Sequence, residues 1–159
     1  MNYNSSLEEL GASDNFETIA GGVTLPMTSG KNTFIVGNNF QHSFGDMPVE
    51  RSSSLGGFLS ISGAGLNSLT TSDYLTNQFM YFRKFSEAQN PFFDLAFYAG
   101  TSLEVSKLTS DAPNIEDLNW ITSGSVFAGA DTPILPMYLA YGINDNQDSS
   151  ISINFGRVG

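Results

Sequence analysis

From Ile134 to Arg157 apolar and polar residues alternate with a period of two, the spacing that sends successive side chains to opposite faces of a strand. Leu135, Met137, Leu139, Tyr141 and Ile143 share one face, and Pro136, Tyr138, Ala140, Gly142 and Asn144 share the other. The polar run Asn144–Ser149 turns the chain back. Ile151, Ile153 and Phe155 then continue the apolar face against Ser150, Ser152, Asn154 and Gly156. Large apolar side chains on one face with small or polar ones on the other predict a transmembrane β-strand, wetted by lipid outside and by a polar interior inside. Leu135, Met137, Leu139, Ile151, Ile153 and Phe155 are therefore the lipid-facing candidates. A soluble β-sandwich reverses the faces and prints the same alternation, so it stays open as the alternative.

The same alternation, read upstream between turn signals, gives about eight strands, the spacing of an up-and-down meander. The first runs from about Tyr3 to Gly11. Phe16 to Met27 follows, with Ile19, Val23, Leu25 and Met27 on one face, and the turn Thr28–Asn32 leads to Thr33–Phe44. Gly45 to Asp73 lacks sustained alternation, is rich in Ser and Gly, and is expected to be a long irregular loop. Tyr74 to Phe85 resumes the pattern, although Asn77, Phe82 and Arg83 blur its faces, and Asn90-Pro91 makes the next turn. Asp94 to Ser106 is cleaner, with Leu95, Phe97, Leu103 and Val105 outward and Asp94, Tyr98, Ser102, Glu104 and Ser106 inward. Lys107 to Asn119 is polar loop, and Trp120 to Thr132 is a strand with Thr122, Gly124, Val126, Ala128 and Ala130 opposite Ser123, Ser125, Phe127, Gly129 and Asp131. An inward Glu104 in mid-strand is costly in a dry sandwich core and ordinary in a solvated lumen.

The chain reads as a single domain over residues 1–159, with no room for a separate catalytic domain. Sixteen acidic residues against six basic ones give a net charge of −10, which leaves no basic patch for nucleic acid. Cysteine is absent, so disulfides and thiolate metal sites are excluded. No window reaches the ~20 apolar residues of a transmembrane helix, a test to which barrels are blind. Met1–Ser6 has neither the basic start nor the apolar core of a signal peptide, as expected of a mature bacterial outer-membrane chain.

Several motifs then converge. Ser54-Leu55-Gly56-Gly57-Phe58 and Asp73-Tyr74-Leu75, followed by Ser125–Pro133 and Met137-Tyr138-Leu139-Ala140-Tyr141-Gly142, resemble the C-terminal barrel of bacterial patatin-like phospholipases, part of the surface-antigen superfamily of outer-membrane assembly and secretion factors. The resemblance runs from about Phe16 onward. It implies a transmembrane antiparallel β-barrel whose long loop, about residues 45–73, folds into the lumen and docks its tip on inward-facing residues. Arg51, Leu55, Gly56, Gly57 and Phe58 would form that loop motif, with Gly56 where the wider superfamily has an arginine. Arg51 is the candidate substitute, and Asp94, Glu104 and Asp131 are its candidate luminal acceptors. The family barrel has about sixteen strands, and this chain matches its C-terminal half. Strand edges cannot face lipid unpaired, so the half-barrel is expected to close as a homodimer by edge-strand pairing, with a closed barrel of about eight strands as the rival. The chain ends Phe155-Gly156-Arg157-Val158-Gly159, which departs from the aromatic ending that barrel-assembly machinery typically reads.

The chemistry of a lipase is missing. A patatin nucleophile needs a Gly-x-Ser-x-Gly elbow, and Ser62-Gly63-Ala64-Gly65 and Ser123-Gly124-Ser125 lack that spacing and read as turn or strand packing. His42, the single histidine, alternates with Phe40 and Phe44 near a strand end and is expected at an interface or facing a loop. Glu8-Glu9 and Glu116-Asp117 read as solvated charge, with weak divalent-cation or lipopolysaccharide bridging as the sharper alternative. Asp94, Glu104 and Asp131 with Arg51, Arg83 and Lys84 are expected to form a luminal polar network, and Trp120, Tyr74, Tyr81 and Tyr141 to form aromatic girdles. The expected function is that of an outer-membrane pore, translocation component or membrane anchor without catalysis, cofactor or metal. Its expected partners are outer-membrane lipids, lipopolysaccharide, a second copy and an unidentified envelope protein. A small closed structural barrel and a soluble β-sandwich binding module are the alternatives.

Overall fold

In the computed structural model, residues 2–6, 16–45, 53–90, 93–109, 120–132 and 135–156 are described, and they are all-β without a helix. The strands are β1 (Asn2–Ser6), β2 (Phe16–Ser29), β3 (Asn32–Gly45), β4 (Ser53–Leu55), β5 (Leu69–Thr71), β6 (Asp73–Asn90), β7 (Phe93–Thr109), β8 (Ile121–Asp131), β9 (Met137–Asn144) and β10 (Ser149–Phe155). Eight of them form one antiparallel sheet in the order β1-β2-β3-β6-β7-β8-β9-β10, and β4 and β5 pair separately. The sheet is an open meander: among the described residues no ladder joins β1 to β10.

The connections differ between the two ends of the sheet. At one end they are short, spanning residues 30–31, 91–92 and 132–136, and at the other end segments 7–15, 46–72, 110–120 and 145–148 join the strands. Gly30 shows why a tight turn forms: Ser29 faces Asn32 across two residues, and Gly30 at φ 60° supplies the positive φ that a Gly-first hairpin turn requires.

Two departures from the sequence reading have local causes. The expected irregular segment contains the β4–β5 hairpin, whose strands of three residues each are too short to print an alternation. Strand β6 continues past Phe85 to Asn90 because the register against β7 shifts between Lys84 and Ser86, leaving Phe85 as a bulge. Phe82 and Arg83 lie before the bulge and keep the strand's parity, Phe82 against Tyr98 and Phe127 on the inner face and Arg83 exposed, so it is their residue types that blur the pattern there. The first strand is described only over Asn2–Ser6, so its expected extension to Gly11 lies outside the described residues.

The sheet is inverted relative to a soluble protein. Val23, Leu25, Phe34, Phe79, Leu103, Val126, Leu139, Tyr141, Ile143, Ile151 and Ile153 are exposed on its outer face. Its inner face carries Thr76, Ser102, Glu104, Ser106, Ser123, Ser125 and Asn144, all buried. Hydroxyls bridge neighbouring strands there, at 3.0 Å between Thr76 and Ser106 and 2.7 Å between Ser102 and Ser125. The core lies between this inner face and the folded-back loop. One cluster joins Ile35, Met80, Phe127 and Ala140 to Phe58 and Leu59 of the loop. A second joins Leu108 and Ile121 to Ile61 and Ala64, with Leu55 and Leu69 beside it.

Candidate functional site

The site is the contact between the loop and the inner sheet face. Its base is tied to the end of β3. The Gln41 amide donates to the Ser72 carbonyl at 3.0 Å and accepts from the Ser53 hydroxyl at 2.7 Å, holding both sides of the loop at one point. Asp73 accepts from the Ser43 backbone N–H at 2.7 Å and pairs with His42 Nδ1 at 2.8 Å. The His42 ring, 58% exposed, also lies edge-on to Phe44 with centroids 4.4 Å apart. The single histidine is thus at the loop base, on a partly exposed carboxylate.

Beyond β4 the chain turns at Gly56 (φ 119°), Gly57 (φ 100°) and Leu59 (φ 63°). A Cβ at Gly56 would lie 2.3 Å from the Gly65 carbonyl oxygen, so this backbone has no space for a larger residue. Leu55 packs into the second cluster, and Phe58 meets Phe127 edge-to-face with centroids 5.2 Å apart. Phe127 also touches Phe82 and Tyr138, so the loop tip rests on an aromatic patch of the inner face. Arg51 lies outside the described residues.

The deepest contact is made by Ile61, Ser62 and Gly63. Ile61 is 0% exposed. The Ser62 backbone N–H donates to Glu104 Oε2 at 3.1 Å, and the Ser123 hydroxyl donates to the same oxygen at 2.8 Å. Glu104 is 0% exposed, and among the described residues its Oε1 has no hydrogen-bond partner. Gly63 (φ 92°) lies directly against β9: a Cβ there would come within 2.7 Å of the Asn144 nitrogen and the Asp148 carbonyl oxygen. From the other side, a Cβ on Gly142 would lie 2.7 Å from the Gly63 nitrogen. Two glycines facing each other let backbone lie on backbone. Beside them a cavity of about 320 Å³ opens between the loop and the β9–β10 turn, lined in part by Ala64, Ser68, Asn146 and Asp148.

The sequence-predicted residues are thus distributed unevenly. Glu104 is not in a solvated lumen; the loop covers it and supplies the polar partner that water would have supplied. The expected luminal network is separated in space. Glu104 is opposite Ser123 and Asp131 is opposite Ala96, so they lie about 26 Å apart along the sheet. Asp131 accepts a hydrogen bond from the Tyr98 hydroxyl, and Asp94 faces Gln89 at the far end of β7, its side chain outside the described set. Arg83 is exposed beside the β2–β3 turn, far from Glu104. Tyr74 departs from the girdle expectation, because it packs inward on the Ile61 cluster, whereas Trp120 and Tyr141 are exposed. Leu135 precedes β9 in a turn that Thr132 holds, half-buried, so it is not on the strand face with Met137, Leu139, Ile151, Ile153 and Phe155, all of which are exposed.

Ser62 and Gly63 are the contact residues that motif reading passed over. Screening their Gly-Ser run for a nucleophile elbow hides its other property, a backbone bare enough to lie on Gly142. The Ser123 hydroxyl, beside the buried Glu104 carboxylate, is itself sealed under the loop, and His42 is held at the loop base by Asp73. Among the described residues no three His, Asp or Glu side chains gather as a metal site. What the arrangement does is fix a segment of chain against one face of a sheet through one carboxylate, one glycine pair and one aromatic contact. No family model matches the chain, and no curated protein or solved structure matches it.

Proposed function

We propose that this chain is a bacterial outer-membrane β-barrel protein of the surface-antigen superfamily, nearest the patatin-like barrels, acting as a pore, translocation component or membrane anchor without a catalytic domain of its own. The observation that carries the reading is the apolar, exposed outer sheet face, backed by an inner face where buried polar side chains sit beside the apolar ones that the loop covers. Lipid is the solvent that makes such an outer face favourable, and an aqueous or plugged lumen is the interior that tolerates the inner one. Three of the connections at one end, 7–15, 46–72 and 110–120, are longer than any at the other, which agrees with the external and periplasmic ends of such barrels. On this reading the segment 46–72 is the plug, and two chains pair edge to edge into one ring whose lumen holds both loops.

The test is reconstitution. Replacing residues 56–68 by Asn-Gly lets β4 run straight into β5 and removes the Glu104 and Phe127 contacts. The shortened protein should raise conductance across a planar bilayer well above that of the full chain. Equal conductance from both would remove the plug from the proposal, and a protein that stays dissolved without detergent would defeat the membrane reading itself.

A further inference from the structure

Cationic residues are scarce in a chain of net charge −10 with six of them, yet Lys31, Arg83 and Lys84 meet at one place. The Lys84 backbone N–H donates to the Lys31 carbonyl at 2.8 Å, and Arg83 is opposite Asn32, so the three share one level at the tight-turn end of β3 and β6. Lys31 and Arg83 are exposed. Next to them on the outer face an open groove of about 300 Å³ is walled by Met27, Phe34, Val36, Phe79, Tyr81 and Leu103. Phe34 and Tyr81 pack with centroids 4.8 Å apart, and the Tyr81 hydroxyl donates to Asn32 Oδ1 at 2.9 Å, which fixes the end of the groove that meets the cations. The strand stretches around it, residues 18–45, 74–84 and 96–103, contain no Asp or Glu at all. Acidic residues lie beyond these stretches: Glu87, Asp94 and Asp131 further along β6, β7 and β8 toward the same end, and Asp73, Asp145 and Asp148, with the cation Lys107, toward the other end of the sheet.

We propose that this groove binds one anionic phospholipid, an acyl chain along Phe34, Phe79 and Leu103 and the phosphate on Arg83 and Lys31. The inference rests on the membrane reading. A guanidinium and an ammonium carried at one level of neighbouring strands match a phosphate, the first through paired N–H groups and the second as a point charge. The apolar groove alone would accept any lipid tail. The cations make the headgroup choice. A soluble anion is disfavoured because the binding surface next to the cations is hydrocarbon.

The experiment uses the full chain in nanodiscs of equal phosphatidylcholine and phosphatidylglycerol, with retained lipid counted by native mass spectrometry. The protein should retain phosphatidylglycerol with an enrichment of about fivefold or more, the factor that one basic residue near an anionic lipid supplies. The double variant Lys31→Gln/Arg83→Gln should lose that enrichment. Lys31→Gln alone, on an exposed turn that tolerates it, should lose part of it. Leu103→Trp should fill the groove and lower the retention of both lipids, while Lys107→Gln, an exposed cation toward the other end of β7, should change nothing. Equal retention of the two lipids by the unaltered chain, or undiminished enrichment in the double variant, would overturn the lipid site and leave the barrel standing. A chain that never enters the nanodisc would overturn both.

Discussion

Glu104 concentrates the energetics of the docked loop in one side chain. A carboxylate taken fully out of water is tolerated only when donors replace the water, and here one backbone N–H from the loop and one hydroxyl from β8 do so on a single oxygen. Glu104→Ala should therefore leave the Ser62 N–H without its acceptor, at a cost of about 1–3 kcal/mol, and Glu104→Gln, which keeps an acceptor oxygen but not its charge, should cost less. Limited proteolysis measures this directly: cleavage between residues 53 and 72 should quicken in the order unaltered, Gln, Ala, with β-sheet circular dichroism unchanged. Identical cleavage rates would mean that Glu104 does not hold the loop. The glycine pair gives an independent measurement. Gly142→Ala places a methyl 2.7 Å from the Gly63 nitrogen, and since backbone cannot swing aside as a side chain can, the loop must lift, at about 1–3 kcal/mol. Gly30→Ala, where a Cβ has open space, is the control for backbone strain alone, because its positive φ is strained without any contact. The inward direction of Glu104 was legible from the period of two. Its burial was not, because the covering Ser62 is forty-two positions away and no local pattern encodes that meeting.

At the scale of elements, legibility followed strand length and symmetry. β9 and β10 alternate without interruption and their faces read directly from the sequence. β6 did not, because Phe82 is an aromatic that belongs inside, where it meets Tyr98 and Phe127, and its extension to Asn90 was hidden because the bulge at Phe85 breaks the register. β4 and β5 were invisible for a simpler reason, since three residues cannot display a period. The paired register of β9 and β10 places Leu139 opposite Ile153 and Tyr141 opposite Ile151 on one continuous outer surface, with Ile151 75% and Leu139 54% exposed. If lipid covers that surface, Leu139→Cys and Ile153→Cys in proteoliposomes should resist a water-soluble thiol reagent and react with a membrane-permeant one. Asn146→Cys, in the exposed β9–β10 turn, should react with both. Ready modification of the Leu139→Cys and Ile153→Cys variants by the water-soluble reagent would count against a lipid-facing strand.

For the whole molecule the decisive feature is the pair of sheet edges. β1 bonds only to β2 and β10 only to β9 among the described residues, so each presents a row of backbone N–H and C=O groups on its other side. In water such an edge can be left to solvent; in hydrocarbon each unpaired group costs several kcal/mol, and across a strand of seven residues such as β10 that cost exceeds the net stability of an ordinary domain. If the sheet lies in a membrane, as proposed, the edges must therefore pair, either with each other or with those of another chain. A ring of eight strands has an interior that its own side chains fill. The loop here already fills the inner face, with Phe58, Leu59 and Ile61 packed on it, so self-closure would need to fit the plug and the remaining inward side chains into one narrow lumen. A ring made of two chains has room for both loops. Detergent-purified protein should accordingly migrate as a species of twice the chain mass before heating and as a single chain after it, and light scattering in detergent should give the same dimer mass. A heat-sensitive species of one chain mass would assign closure to the monomer instead, and would require the loop to leave the inner face on which it now rests.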